Sequence, residues 1–412
     1  MSAAAVPAGL ATWIGVVQFF FVTTWTLYVI YLPALCNQAG IAVSWVPWIL
    51  VADQVMFAVM DVLTGFWVDR VRSGLARLGG RILALTVLSC AAFLLLPFVT
   101  AFSASTSTSL LLGLLVVWAL SSSALRSPPW ALLSRYAAKP DVPWLSTLVL
   151  TGTAIASALA PYLGIALKGV DPRIPFAVST LTLLAAVAGL VVIERRLAGA
   201  PSAPAGETEP PFDAGAPGAG RLMTLFFLAL LFTALGFQSH FALNSAPQYL
   251  RHATQAELPW LMPVFWIGFN LLMFPAARLV KRLGAIPMMA AGAAAGAVAS
   301  LGAVLAPSLA LLVAAQFAAG GCWGAICVGA YTAAVGFGRR GREGALLGTL
   351  FAVLAAATFA RIAAMASGWV LVPAFKAALP WIPLVCWALA AALAVFAVAS
   401  AGRVMIQSTG KQ

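Results

Sequence analysis

The sequence predicts an all-α membrane protein of twelve spanning helices in two six-helix bundles, with both termini cytoplasmic. Three observations predict it. Hydrophobic residues make up 63% of the chain and charged residues 8%, against roughly 45–50% and 25% in soluble domains. The apolar residues form runs of about 18–25, long enough to cross a bilayer as helices. These runs are continuous rather than alternating, which excludes an outer-membrane barrel. The basic residues gather on alternate connections, as the positive-inside rule requires of a multi-span protein.

Taken in order, the spans are 11–33, 44–67, 82–103, 108–126, 142–167, 174–194, 222–246, 257–280, 285–306, 308–332, 344–372 and 379–402. No Lys or Arg precedes the first run, so it lacks the basic segment of a cleaved signal peptide and reads as a retained span. Arg70, Arg72, Arg77 and Arg81 separate spans two and three; Arg126, Arg135 and Lys139 separate four and five. Arg195, Arg196 and Arg221 lie between six and seven, and Arg278, Lys281 and Arg282 between eight and nine. Arg339, Arg340 and Arg342 lie between ten and eleven, and Arg403 and Lys411 follow the twelfth. The other connections hold only Lys168, Arg173, Arg251 and Lys376. Spans nine and ten are divided only by Ala306-Pro307-Ser308.

This distribution places the basic connections in the cytoplasm. It also accounts for the net charge of +12 without nucleic acid. Residues 197–220 are rich in Pro, Gly and Ala and read as a flexible cytoplasmic linker between bundles 1–196 and 221–412. The halves echo each other. Gly65-Phe-Trp-Val-Asp69-Arg70 follows the second span, and Ala277-Arg278-Leu-Val-Lys281-Arg282 stands in the corresponding place after the eighth. Internal repeats of this kind mark secondary transporters.

Asp53 and Asp61 are the most informative residues. Both lie within one spanning run, where a carboxylate persists only if it meets water, a partner or a passing ion. Eight residues apart, they sit about 12 Å apart along a helix and roughly 80° around it, so they cannot share one ion cage. Each could bind a proton separately, or Asp61, near the cytoplasmic end, could bond only nearby backbone or the loop arginines. Arg361 is the basic residue deep in a helix. Counted from the outer ends its depth matches that of Asp53, so the two are ion-coupling candidates that pair either with each other across the halves or each within its own half.

Polar and aromatic residues recur at helical spacing: Gln18, Phe21, Trp25 and Tyr28 in the first span; His240, Asn244 and Gln248 in the seventh; Met262, Trp266, Asn270 and Met273 in the eighth; Gln316, Gly320, Trp323, Cys327 and Tyr331 in the tenth. Such faces suit a small organic solute that is hydrogen-bonded by amides and stacked by rings. Gln18, Trp25, Tyr28, His240, Asn244, Trp266, Asn270, Gln316, Trp323 and Tyr331 are the substrate-binding candidates. The five cysteines show no metal or disulfide spacing and read as small buried hydrophobes. Met56 and Met60, with the histidines, make no compact copper site. There is no nucleotide-binding loop or catalytic triad, so neither enzyme activity nor a cofactor is expected.

Twelve spans as six and six, a central linker, and Gly65-x-x-x-Asp69-Arg70 followed by Arg77-x-Gly79-Gly80-Arg81 together resemble the major facilitator superfamily. Asp61-Val62-Leu63-Thr64-Gly65, Asp69-Arg70-Val71-Arg72-Ser73 and Pro128-Pro129-Trp130-Ala131-Leu132 resemble the glycoside–pentoside–hexuronide:cation symporters, the melibiose-permease group. The resemblance implies alternating access in the cytoplasmic (inner) membrane and symport of a sugar-like solute, with spans one, four, seven and ten lining the path. It also implies a gate made by Gly65, Asp69, Arg70, Arg72, Arg77 and Arg81. Val62 replaces that group's usual Pro, and Phe57 stands where its second cation-site Asp would lie, which favours a proton over sodium. The expected partners are a small-molecule substrate, the coupling proton and the lipid bilayer, with the chain acting as a monomer. Proton-antiport efflux of amphipathic compounds and a non-transporting membrane receptor are the alternatives.

Overall fold

The computed structural model describes residues 5–70, 78–137, 139–197, 218–338 and 341–409. Twelve helices among them are long and apolar enough to cross a membrane. They are α1 (Ala8–Gln38), α2 (Val43–Arg70), α3 (Leu78–Val99), α4 (Ser105–Ser134), α5 (Val142–Ala166), α6 (Arg173–Leu197), α7 (Ala219–Tyr249), α8 (Leu258–Leu283), α9 (Ala285–Leu305), α10 (Leu309–Gly338), α11 (Glu343–Ala366) and α12 (Pro373–Ser400). Most of the linker, 198–217, lies outside the described residues.

Four spans depart from the sequence-based limits; the tenth runs on to Gly338 rather than 332, and the twelfth starts at Pro373 rather than 379. The fourth does not stop at 126. A 3-10 turn at Ser123–Leu125 is followed by a further helix, Ser127–Tyr136, with prolines in its first turn. Proline is tolerated there because the N–H it lacks would have no helical acceptor. The eleventh ends at Ala366 rather than 372. Gly368 then adopts a left-handed conformation (φ 75°), one that L side chains resist and that turns the chain out of a helix. Within α7, residues Gln238–Asn244 form a π-helix, a wide turn that re-aims side chains and is frequent at functional sites.

In the first half, α1 packs on α5 and α6, and α3 on α4 and α6. In the second, α7 and α9 pack on α12, and α8 and α9 on α10. The halves meet along two seams, α2 against α11 and α5 against α8. One end of the assembly carries Arg70, Arg126, Lys281 and Arg342 and is called the basic end below.

Candidate functional site

Asp53 is 1% exposed, one face inward on α2. Tyr28 on α1 donates its phenol O–H to Asp53 Oδ2 at 2.7 Å, while Oδ1 has no partner. Around them stands an aromatic wall: Trp118 packs 4.5 Å from Tyr28 and stacks on Trp25 at 5.7 Å, and Trp25 meets Phe57 edge-on. The sequence singled out Trp25, Tyr28 and Asp53. Their convergence comes from the α1–α2–α4 packing.

Two turns toward the basic end, Asp61 is fully buried. Arg126, in the break between the two segments of α4, reaches it through Nε at 3.0 Å from both carboxylate oxygens. The guanidinium lies 4.9 Å from the ring of Phe57 and 5.5 Å from that of Phe351 on α11. These rings complement its charge in a largely buried setting. Arg126 thus belongs to the site rather than to the topogenic charges of a loop. Nothing in its sequence position distinguishes it from a loop arginine, because its inward course depends on the 3-10 turn before it.

At the basic end the α2–α11 seam is backbone against backbone. A Cβ at Gly65 would meet the carbonyl oxygen of Gly344 and the Cα of Gly348. Asp69 then accepts hydrogen bonds from the Gly344 and Ala345 amides, each at 2.8 Å. Those amides lie in the first turn of α11, where N–H groups lack helical acceptors and the helix dipole favours an anion. Beside this contact Trp130 of α4 stacks on Tyr331 of α10, centroids 4.0 Å apart, so this substrate-binding candidate sits in the seal between the halves. Arg70 ends α2 exposed, and Arg81 lies over the Trp67 ring at 5.5 Å. Arg72 and Arg77 lie outside the described residues. Sequence reasoning missed Glu194 on α6, which accepts the Gly79 amide at 2.7 Å and so caps α3 as Asp69 caps α11.

The second half holds a neutral network. His240, buried in the π-turn, donates from Nε2 to Gln316 Oε1 at 3.0 Å. Ser245 donates to the same oxygen, and Gln316 Nε2 to Gln248 Oε1 at 2.9 Å. His240 Nδ1 and Gln248 Nε2 are left without partners. Asn244 instead bonds the carbonyls of Ser239 and Leu379. On α8, Asn270 donates to the Trp266 carbonyl, and neither the Trp266 indole N–H nor Asn270 Oδ1 has a partner. Trp323 stacks on Phe237 at 4.6 Å. Gln18 bonds the Leu125 carbonyl within the first half.

The expected Asp53–Arg361 pair is not formed. Asp53 is held by Tyr28, and Arg361 bonds only the Met365 sulfur at 3.8 Å. The reason is the early end of α11, which leaves Arg361 five residues from that end instead of deep in the span. It lies in the wall of a cavity of about 510 Å³ between α7, α11 and α12, with Trp48 of α2 at its edge.

No family model matches the sequence, and no curated protein matches it. Solved structures share its fold. A bacterial homologue of the iron transporter ferroportin, in an outward-facing state, has a TM-score of 0.72 at 15% identity, covering 95% of this chain and 99% of that one. The human organic anion transporter MFSD10 gives 0.64 at 14% identity, over 94% and 97%. The E. coli fucose:proton symporter FucP gives 0.63 at 15% identity, over 95% and 98%. The chain shares its fold with these solved transporters, among which FucP is a major facilitator superfamily transporter.

Proposed function

We propose that this chain is a secondary active transporter that moves a small organic solute across the cytoplasmic membrane by alternating access. The observation that carries this reading is Asp53: a carboxylate buried between helices, bonded through one oxygen and bare at the other. Intramembrane carboxylates persist where they bind a moving ion. Here Asp53 takes up the coupling proton on its free oxygen. Asp61 with Arg126 ties the state of the first half to Phe351 of the second. The Gly65–Asp69 contact with α11 is the cytoplasmic gate.

A sugar-like solute in symport, as in the melibiose-permease group, is the leading substrate class. The rings of Trp25 and Trp118 beside Asp53 and the amides around Gln316 support it. Efflux of amphipathic compounds is the second reading, favoured by the apolar cavity at Arg361.

The test is charge movement by the reconstituted protein on a solid-supported membrane. Sugars, organic acids, amino acids and amphipathic cations are applied at two pH values, with and without sodium. A pH-dependent, sodium-independent current with one solute class is expected, and Asp53→Asn should abolish it. A solute current whose proton coupling survives both Asp53→Asn and Asp61→Asn would overturn the mechanism. Flux unchanged on loss of Asp53 and Arg361 would favour the receptor alternative.

A further inference from the structure

We infer that the cavity at Arg361 is a binding site for a single-chain amphiphilic anion, with a carboxylate head on the guanidinium and a hydrocarbon tail between α7 and α12. At about 510 Å³ it falls in the range that encloses a small organic ligand. Its walls are Leu235, Leu243, Leu379 and Ile382, and small residues of α11, Ala357, Ala360 and Ala364 among them, leave the room. A cavity of this composition recognises hydrocarbon.

Arg361 is the charged residue in that wall, beside the neutral polar Gln238, Ser239 and Ser367. Its Nε is buried without a hydrogen-bond partner, and its one bond, from Nη1, goes to the weakly accepting sulfur of Met365 at 3.8 Å. Among the described residues no carboxylate lies within ion-pair distance of it. A guanidinium in apolar surroundings with its Nε unbonded and Nη1 on a thioether is costly, and a planar two-oxygen anion matches its fork of N–H groups. Its position fits such a head. Arg361 lies five residues before the end of α11, about 7.5 Å along the axis. Trp48, Trp369 and Phe375 line the same cavity, and such rings favour a membrane–water boundary. The head therefore rests just beneath that boundary and the tail runs inward.

A single chain is the occupant because the cavity is one pocket set between three helices, with one cationic group. Binding is read as occupancy rather than flux, so it stands or falls separately from the transport reading.

The test is saturable binding of tritiated laurate to the full-length protein in phosphatidylcholine nanodiscs. Laurate should bind the wild type at least tenfold more tightly than dodecanol. Arg361→Gln should weaken laurate binding at least tenfold, and Arg361→Lys should keep most of it. Ala364→Phe, which fills the cavity and leaves the charge, should abolish it. Equal binding of laurate and dodecanol, or unchanged laurate binding by a folded Arg361→Gln protein, would overturn the proposal. If Arg361→Gln does not fold, the laurate–dodecanol comparison on the wild type decides. Loss of laurate binding when phosphatidylglycerol replaces phosphatidylcholine would assign the site to a two-chain membrane lipid and overturn the single-chain assignment.

Discussion

The two seams between the bundles are built from different materials. Along α2–α11, Gly65, Gly344 and Gly348 let main chain touch main chain, and the Asp69 carboxylate grips two amides at the start of α11. Along α5–α8 the contact is made by side chains. Trp144 packs on Phe274 at 5.5 Å, Tyr162 on Trp260 at 5.1 Å, and Lys281 reaches Asp141 at 3.4 Å with both partners near half exposed. The sequence echo sharpens the contrast, since Ala277 and Lys281 occupy the places of Gly65 and Asp69. A backbone seam has one register and is either shut or open, because packed interfaces are bistable. A seam of rings and exposed charges re-packs by rotamer changes and tolerates sliding. The α2–α11 seam, where the gate is proposed, is therefore the more fixed in register, and the α5–α8 seam the more deformable.

The largest expected effect tests the buried charges beside the first seam. Arg126→Ala should cost about 3–5 kcal/mol, because it strands the Asp61 carboxylate in a dry site. Adding Asp61→Asn should restore much of the loss, and thermal unfolding in nanodiscs reads both. An Arg126→Ala protein as stable as wild type would remove the pair from the account. Gly65→Val comes next, since its side chain must push Gly344 and Gly348 backbone aside. Overpacking of this kind costs about 1–3 kcal/mol. Spin labels at positions 70 and 342 should move apart by several ångströms on the scale of the added side chain, as pulsed electron paramagnetic resonance would measure.

Asp69→Asn removes the charge but keeps an acceptor. A loss of up to about 2 kcal/mol from the shut state is expected, seen as a mixed population of short and long distances between the same labels. The smallest effect should come from the other seam. Lys281→Gln should change stability by less than about 1 kcal/mol, as for other exposed pairs. It should leave the basic-end distances unchanged. If Lys281→Gln opened the α5–α8 seam as far as Gly65→Val opens α2–α11, the contrast between the two seams would fail.

Eight of the twelve spans lie within about five residues, at both ends, of where hydrophobic runs alone would put them. The fourth, tenth, eleventh and twelfth do not; for the fourth and eleventh the reasons are local, a 3-10 turn before two prolines and a left-handed glycine. In the site, Asp53, Asp61 and Asp69 stand out in the sequence because carboxylates in or beside hydrocarbon are rare. Their partners do not. Arg126 looks like a loop charge, and the Gly344 and Ala345 amides have no side-chain signature. Periodicity placed His240 and Gln316 on polar faces, yet it could not say that those faces meet across 76 residues.

The sequence by itself determined which segments lie in the bilayer and which of their residues are too polar to face lipid. Hydrophobicity acts residue by residue along a run and needs no knowledge of neighbours. The tertiary structure alone decided who partners whom: Tyr28 rather than Arg361 for Asp53, Arg126 for Asp61, backbone amides for Asp69. Pairing depends on where each helix ends and how it crosses the next. A shift of one turn, about 5.4 Å, exceeds the reach of a hydrogen bond and reassigns every partner.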